Sequence, residues 1–247
     1  MLRWKFIQQT GPRQKDQIAR ENVVATSIAR MRDKLTKKIS VDDLMQDIRS
    51  LKHVLVAFGL EGDIQNKFFI KKVMTSDLSD TKSLANKLVD PRYRDLSRWF
   101  DASQGSEAER SAAEAQLQTQ FLERELERRV GETDDDLRLI MSAKREIADI
   151  ANANTTEKVT WFNILGSRAL SKFFSTALGL GNGFGNLDLD KKVDVLRYKL
   201  RGDMGTDAPG ELLQSKNFDR LAARYFARSD LQLGMANRFA GALQLLR

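Results

Sequence analysis

The chain has 247 residues, with 41 Lys and Arg against 34 Asp and Glu and a formal net charge of +7. It holds no cysteine and a single histidine, which excludes disulfides, thiolate chemistry, Cys-ligated zinc and any site that needs two histidines. With 41% hydrophobic and 30% charged residues, the composition is that of a soluble globular protein, large enough for one sizeable domain or two small ones.

No apolar run reaches the roughly 20 residues that cross a bilayer. The opening MLRWKFIQQTGPRQK lacks the apolar stretch of a Sec-type signal peptide, so a cytoplasmic protein is expected. Leu2, Trp4, Phe6 and Ile7 stand beside basic residues there. They suit either a tail that binds a membrane surface or a partner, or an element docked on the protein's own core. Pro12, Pro91 and Pro209 are the three prolines, and each reads as punctuation between or before helices. No alternating run of β-branched residues appears, so helix is expected throughout.

The clearest helix starts at Ser40 or Asp42. Leu44, Ile48, Leu51, Leu55 and Phe58 follow at spacings that put them on one face, and Gly59 closes the helix. A second helix runs from about Asp63 through Phe68, Phe69, Val73 and Met74, and a third from Ser83 to Leu88. Asp90 is placed to cap the next helix, with Pro91 in its first turn. Tyr93, Leu96, Trp99 and Phe100 form its apolar face.

DASQGSEAERSAAEAQ is small and polar, and marks the best internal boundary. A long charged helix follows, ending before Gly131. Thr133 or Asp134 caps another, which runs through Leu137, Ile140, Met141 and Ile147. NANTTEK breaks the pattern. It resumes from Trp161, with Leu170, Phe173, Phe174, Ala177 and Leu178. LDLDKKVDVLRYKLR is helical from about Asp188, RGDMGTDAPG is a loop, and two last helices are NFDRLAARYFARSD and LQLGMANRFAGALQLL, the second weakened by Gly234 and Gly241.

The stretch with Gly179, Gly181, Gly183 and Gly185 at alternate positions raises the question of a ligand loop. A dinucleotide fingerprint fails in register, since the sixth position is Phe184 or Asn186 and the preceding segment is helical. A phosphate-binding loop would need Gly-Lys-Ser/Thr. An EF-hand from Asn186 would put Lys191 where glycine is required and Arg197 where the bidentate Glu belongs. The segment is expected to be a helix–helix connection with an Asp cap.

It also echoes an earlier segment. Ala57-Phe58-Gly59-Leu60 and Ala177-Leu178-Gly179-Leu180 lie 120 positions apart, as do Lys71-Lys72-Val73 and Lys191-Lys192-Val193. Two similar helical hairpins, related by duplication or by the sameness of amphipathic helices, would give this pattern.

Three other groups of residues are candidates for chemistry. His53 lies on a strongly amphipathic helix with no identifiable nucleophile or orienting group, so a structural role is expected. Asp134, Asp135 and Asp136 point in different directions at a helix start and fit a solvated cap better than a cation site. Arg92, Arg94 and Arg98 interleave with Tyr93 and Trp99. That pattern can bind single-stranded nucleic acid, but at helical spacing it fits aromatics in the core and arginines paired with Asp90, Asp95 or Asp101.

One resemblance adds to this reading. Asp47-x-Arg49, Ala57 to Leu60, Ile70 to Val73, Leu84 to Leu88 and Asp90-Pro91-Arg92-Tyr93 occur in the order and spacing of a bacterial family catalogued as domain of unknown function 1217. The chain resembles that family over most of its length. The family is found mainly in alphaproteobacteria and often encoded within flagellar gene clusters. The resemblance implies an all-helical fold and a flagellar context, and it carries over no catalytic residue.

The expectations are therefore as follows. The fold is all-α, an irregular multi-helix bundle with two similar hairpin units. Residues 1–247 form a single domain, or two halves, 1–104 and 105–247, that share one core. No catalytic, cofactor or metal residue is assigned. The protein is a non-enzymatic binder of protein partners, flagellar components by the resemblance, and is cytoplasmic, flagellum-associated or exported by the flagellar apparatus. The alternative, from the charge and the arginine–aromatic cluster, is a nucleic-acid-binding regulator of flagellar genes.

Overall fold

The computed structural model describes residues 1–152 and 156–245, and the side chains of all of these except 182 and 232–245. Among the described residues there are fourteen α-helices and no strand, so the all-α expectation holds. The helices are α1 (Leu2–Arg20), α2 (Asn22–Thr36), α3 (Val41–Gln46), α4 (Ile48–Phe58), α5 (Lys67–Met74), α6 (Leu84–Lys87) and α7 (Pro91–Ala102). Then come α8 (Glu107–Gly131), α9 (Asp135–Asn152), α10 (Glu157–Gly166), α11 (Arg168–Leu178), α12 (Leu189–Met204), α13 (Pro209–Leu212) and α14 (Ser215–Leu245). No described helix is long and apolar enough to cross a membrane.

The chain forms two compact units. Gln9–Arg129 is the N-terminal unit; Met1–Gln8 with Val130–Arg247 is the C-terminal unit. Helices α1 and α8 each pass from one unit into the other.

In the N-terminal unit α4 is the central element and packs on α2, α3 and α7, while α5 lies against α3, α6 and α7. The helix expected from Ser40 to Phe58 is in fact two. Ser40 caps α3 by accepting from the Asp43 N–H, as expected. Asp47 then leaves the helical region, and its carboxylate accepts from the N–H groups of Arg49 and Ser50 at 3.2 Å each. This local bond competes with continuation of α3 and restarts the helix as α4. The phase shifts at the break, so Ile48 stands 46% exposed although its spacing predicted burial. From Ser50 the apolar face is regular again: Leu51, Val54, Leu55, Ala57 and Phe58 are all buried.

Asp47 also faces Lys34 at 3.3 Å and Arg30 at 3.7 Å. Partial burial opposes its charged form. The bonds from Ser50 and the Lys34 ammonium outweigh that and hold the carboxyl down at about 2. Asp47→Ala should therefore destabilise the protein by roughly 1–2 kcal/mol at neutral pH, from one cap and two half-exposed ion pairs. Because the folded value lies below the ordinary one, this contribution is present above about pH 4 and fades as pH falls toward 2. Urea unfolding of wild type and variant at pH 7 and pH 2.5 checks both statements: the difference should shrink at the lower pH.

The C-terminal unit is built around α11, which packs on α9, α10, α12 and α14. Its core stacks Phe173 on Phe218 and Tyr225, with ring centroids 5.7 Å apart in both pairs. The apolar pattern from Trp161 to Leu178 is again split. Ser167 takes an extended conformation and accepts from the Leu170 N–H, so α10 ends and α11 begins there.

Other expectations shift as well. Pro12 lies inside α1 instead of before a helix; its missing N–H leaves one turn of α1 without a backbone bond. The helix expected from Asp63 begins at Lys67, after a 3₁₀ turn over Glu61–Asp63. Gly202 to Met204, expected in a loop, complete α12, and Gly205 ends it at φ 81°. The two last helices are one, α14, because no Gly or Pro stands at the Asp230–Leu231 junction to stop it. The NANTTEK break falls partly on 153–155, outside the described residues. Gly234 and Gly241 lie in the outer part of α14, and no side chain there is described.

The two echoing segments share a local build. Asp47 and Ser167, which cap α4 and α11, are 120 positions apart, and both helices have 11 residues. Both end on a left-handed glycine, Gly59 at φ 68° and Gly179 at φ 64°. In each the following residue closes the cap: Leu60 N–H donates to the Leu55 carbonyl and Leu180 N–H to that of Ser175. Such caps recur wherever a helix ends in glycine, so the correspondence does not establish a duplication.

Candidate functional site

Arginines gather at both of these glycine caps. A helix C-terminus carries partial negative charge on its last carbonyls, and cations satisfy it. At α4, the Arg92 guanidinium donates to the Gly59 carbonyl, and Arg124 of α8 lies against the glycine itself. A Cβ added to Gly59 would sit 2.5 Å from Arg124 Nη1. At α11, Arg224 and Arg228 of α14 both donate to the Ala177 carbonyl, the Arg224 bond at 3.2 Å. A Cβ on Gly179 would sit 2.9 Å from the Arg228 guanidinium carbon. Each glycine thus serves twice, by its positive φ and by leaving room for an arginine. Neither Arg124 nor Arg228 stands out in the sequence, because each comes from a helix distant in the chain.

The glycines after Gly179 do neither. Gly181, Gly183 and Gly185 have no positive φ, and a Cβ on any of them would meet nothing within 4 Å. The segment forms a 3₁₀ turn over Asn182–Asn186 and then α12, with Asp188 at the N-cap position; the expected side-chain cap is not formed there. It is the helix–helix connection expected from the sequence. Gly183→Ala and Gly185→Ala should leave the fold intact and raise stability by up to roughly 1 kcal/mol each, through the unfolded chain's lost freedom. A fall in the thermal midpoint of either variant would contradict this.

His53 is 3% exposed and pairs with Ser27 of α2: Ser27 Oγ lies 2.7 Å from His53 Nδ1. The ring stacks on Phe121 of α8 with centroids 3.9 Å apart and planes 8° from parallel. Burial pushes the imidazole down to about 4, so it is neutral at physiological pH. No carboxylate among the described residues orients the ring. A serine beside a histidine invites comparison with nucleophilic catalysis, but the stacked, weakly basic ring fits packing better than proton transfer.

The arginine–aromatic cluster is spent internally. Trp99 is 1% exposed and donates from Nε1 to the Ala113 carbonyl at 2.9 Å. Tyr93 donates to Asp63 at 2.7 Å and meets Phe69 edge-on. Arg92 pairs with Asp90 and Arg98 with Asp95, while Arg94 is half-buried and its Nε has no hydrogen-bond partner. For Trp99, Arg92 and Arg98 this is the arrangement that helical spacing predicted; Arg94 departs from it.

Asp134 to Asp136 likewise diverge. Asp134 caps α9 by accepting from Leu137 N–H and pairs with Arg3; Asp135 pairs with Arg138. Asp136 accepts from the hydroxyls of Tyr225 and Ser229 at 2.9 and 2.7 Å. No group of three or more His, Asp or Glu able to hold a metal occurs among the described residues. Of the first eight residues, Trp4 and Ile7 are buried in the C-terminal unit, where Trp4 Nε1 donates to Asp219 at 2.7 Å. Leu2 and Phe6 stay exposed on the other face of α1.

A family model described as Protein of unknown function (DUF1217) matches residues 57–212, a span that holds both glycine caps. The fold is also similar to the crystal structure of an Agrobacterium tumefaciens protein solved by a structural-genomics consortium. The TM-score is 0.70 at 26% identity, covering 91% of each chain. No curated protein matches the sequence.

Proposed function

The chain belongs to the family of proteins of unknown function 1217, and from that premise we propose that it acts by binding other proteins, without catalysis, in the assembly or function of the flagellum. The flagellar setting comes from the family resemblance. The observation that supports a binding role is the pair of aromatic side chains held outward on helices: Phe68 of α5 and Tyr198 of α12, 71% and 73% exposed. Aromatics contribute strongly at interfaces, and the Lys72 ammonium lies 4.6 Å over the Phe68 ring.

Tagged protein recovered from motile cells of its host should bring down flagellar components, and the double variant Phe68→Ala/Tyr198→Ala should bring down fewer. A wild-type pull-down without any flagellar component would count heavily against the reading. A gene deletion scored for swimming and for filaments would then separate a role in assembly from mere gene neighbourhood.

The nucleic-acid alternative keeps only the net charge of +7 in its favour, since Trp99, Arg92 and Arg98 are engaged within the fold. If it holds, binding weakens steeply with salt. Absence of a gel shift at low salt disposes of it.

A further inference from the structure

Phe68 and Tyr198 are exposed on helices of different units, and each has an uncommitted charge one turn away. Helix α5 packs on α3, α6 and α7 and buries Ile70, Val73 and Met74. Its outer face carries Phe68 and, four residues later, exposed Lys72, which meets the Phe68 ring and no carboxylate among the described residues. Lys67 and Lys71 are tied to α3, through the Met45 carbonyl and Asp42.

Helix α12 packs on α10 and α11 and buries Val193, Leu196, Leu200 and Met204. Its outer face carries Tyr198 and, four residues earlier, exposed Asp194, which makes no hydrogen bond or ion pair among the described residues. The other charges on that face are engaged: Asp190 with Lys158, Lys191 with Asp188 and Arg201 with Asp207.

The two faces match in spacing and in sign. Residues four apart lie one turn, about 6 Å, apart along a helix. The charge follows the aromatic in α5 and precedes it in α12. Laid antiparallel, the two helices bring ring onto ring and ammonium onto carboxylate together; laid parallel, they cannot do both.

We propose that these faces receive each other between copies of the chain, with α5 of one copy antiparallel on α12 of a second. Charge complementarity selects this occupant. A lysine beside an exposed ring calls for a carboxylate beside an exposed apolar group, and the chain itself presents one. The contact is heterologous, so association either closes in a ring or continues. The inference rests on Phe68 and Tyr198 facing partners, but it does not require a flagellar partner.

Sedimentation of the intact chain over a range of concentrations tests it. Wild type should associate reversibly, and more weakly as salt is raised. Lys72→Glu and Asp194→Lys each set like charges together and should weaken association roughly tenfold or more. The double variant Lys72→Glu/Asp194→Lys should recover it, which a general change of surface charge would not do. Wild type that stays monomeric at about 1 mM overturns the inference. So does association that neither single reversal weakens, or a double variant that fails to recover. A monomeric chain whose pull-down still depends on Phe68 and Tyr198 would remove this inference and leave the protein-binding reading standing. Self-association without any flagellar component would do the reverse for the flagellar role.

Discussion

Phe173→Ala should destabilise the C-terminal unit by about 3–5 kcal/mol, among the largest effects expected of a single substitution in this chain. The ring is completely buried and touches three aromatic neighbours, Phe174, Phe218 and Tyr225. It stands on α11, which four other helices of the unit contact. Truncation removes the transfer energy of a benzyl group and leaves a cavity among rings that are themselves held: the Tyr225 hydroxyl is tied to Asp136. A tethered wall collapses little, so the cavity cost is retained. Phe68→Ala is the control, since that ring is 71% exposed and its loss should move stability by less than roughly 0.5 kcal/mol. Denaturant unfolding of both variants decides it. A loss under about 1 kcal/mol for Phe173→Ala would mean the unit is more loosely packed than its burial states.

The second large effect is expected at the glycine caps. Gly179→Ala forces a Cβ into a left-handed conformation, at roughly 1 kcal/mol. The same Cβ displaces the Arg228 guanidinium and with it a charge-assisted bond to the Ala177 carbonyl, adding about 1 kcal/mol or more. Gly59→Ala should cost the same conformational strain and displace the Arg124 guanidinium. The two contributions separate in a double-mutant cycle. With Arg228 already replaced by Ala, Gly179→Ala should retain only the conformational part. Equal losses in both backgrounds would show that the arginine and the glycine do not act together.

What could be read from residues alone followed how local the cause was. Asp90-Pro91 at the start of α7 was legible, because a cap and a first-turn proline act within four residues; Asp90 accepts from Arg92 N–H at 3.0 Å. Gly59 and Gly179 were legible as stops for the same reason. The breaks at Asp47 and Ser167 were not, since Asp and Ser occur within helices and only a competing hydrogen bond reveals the break. Val24, Ile28, Met31 and Leu35 mark the buried face of α2 at a spacing as clear as that of α4. Even so, the contact between Ser27 and His53 joins separate helices and has no signature in either. The arginines over the glycines are hidden for that same reason.

The course of α1 has a consequence for synthesis. Trp4 belongs to the C-terminal unit, yet its partners Phe218 and Asp219 are made more than two hundred residues later. Gln9–Arg129 can complete its own contacts while the chain is still growing. The turn around Trp4 and Ile7 cannot, and it must wait with its apolar face uncovered until α14 emerges. That interval is when a chaperone or a stray hydrophobic surface competes for it. A shortened chain that starts at Gln9 would spare the N-terminal unit but deprive the C-terminal one of a wall, so truncation at this end would do its damage at the other.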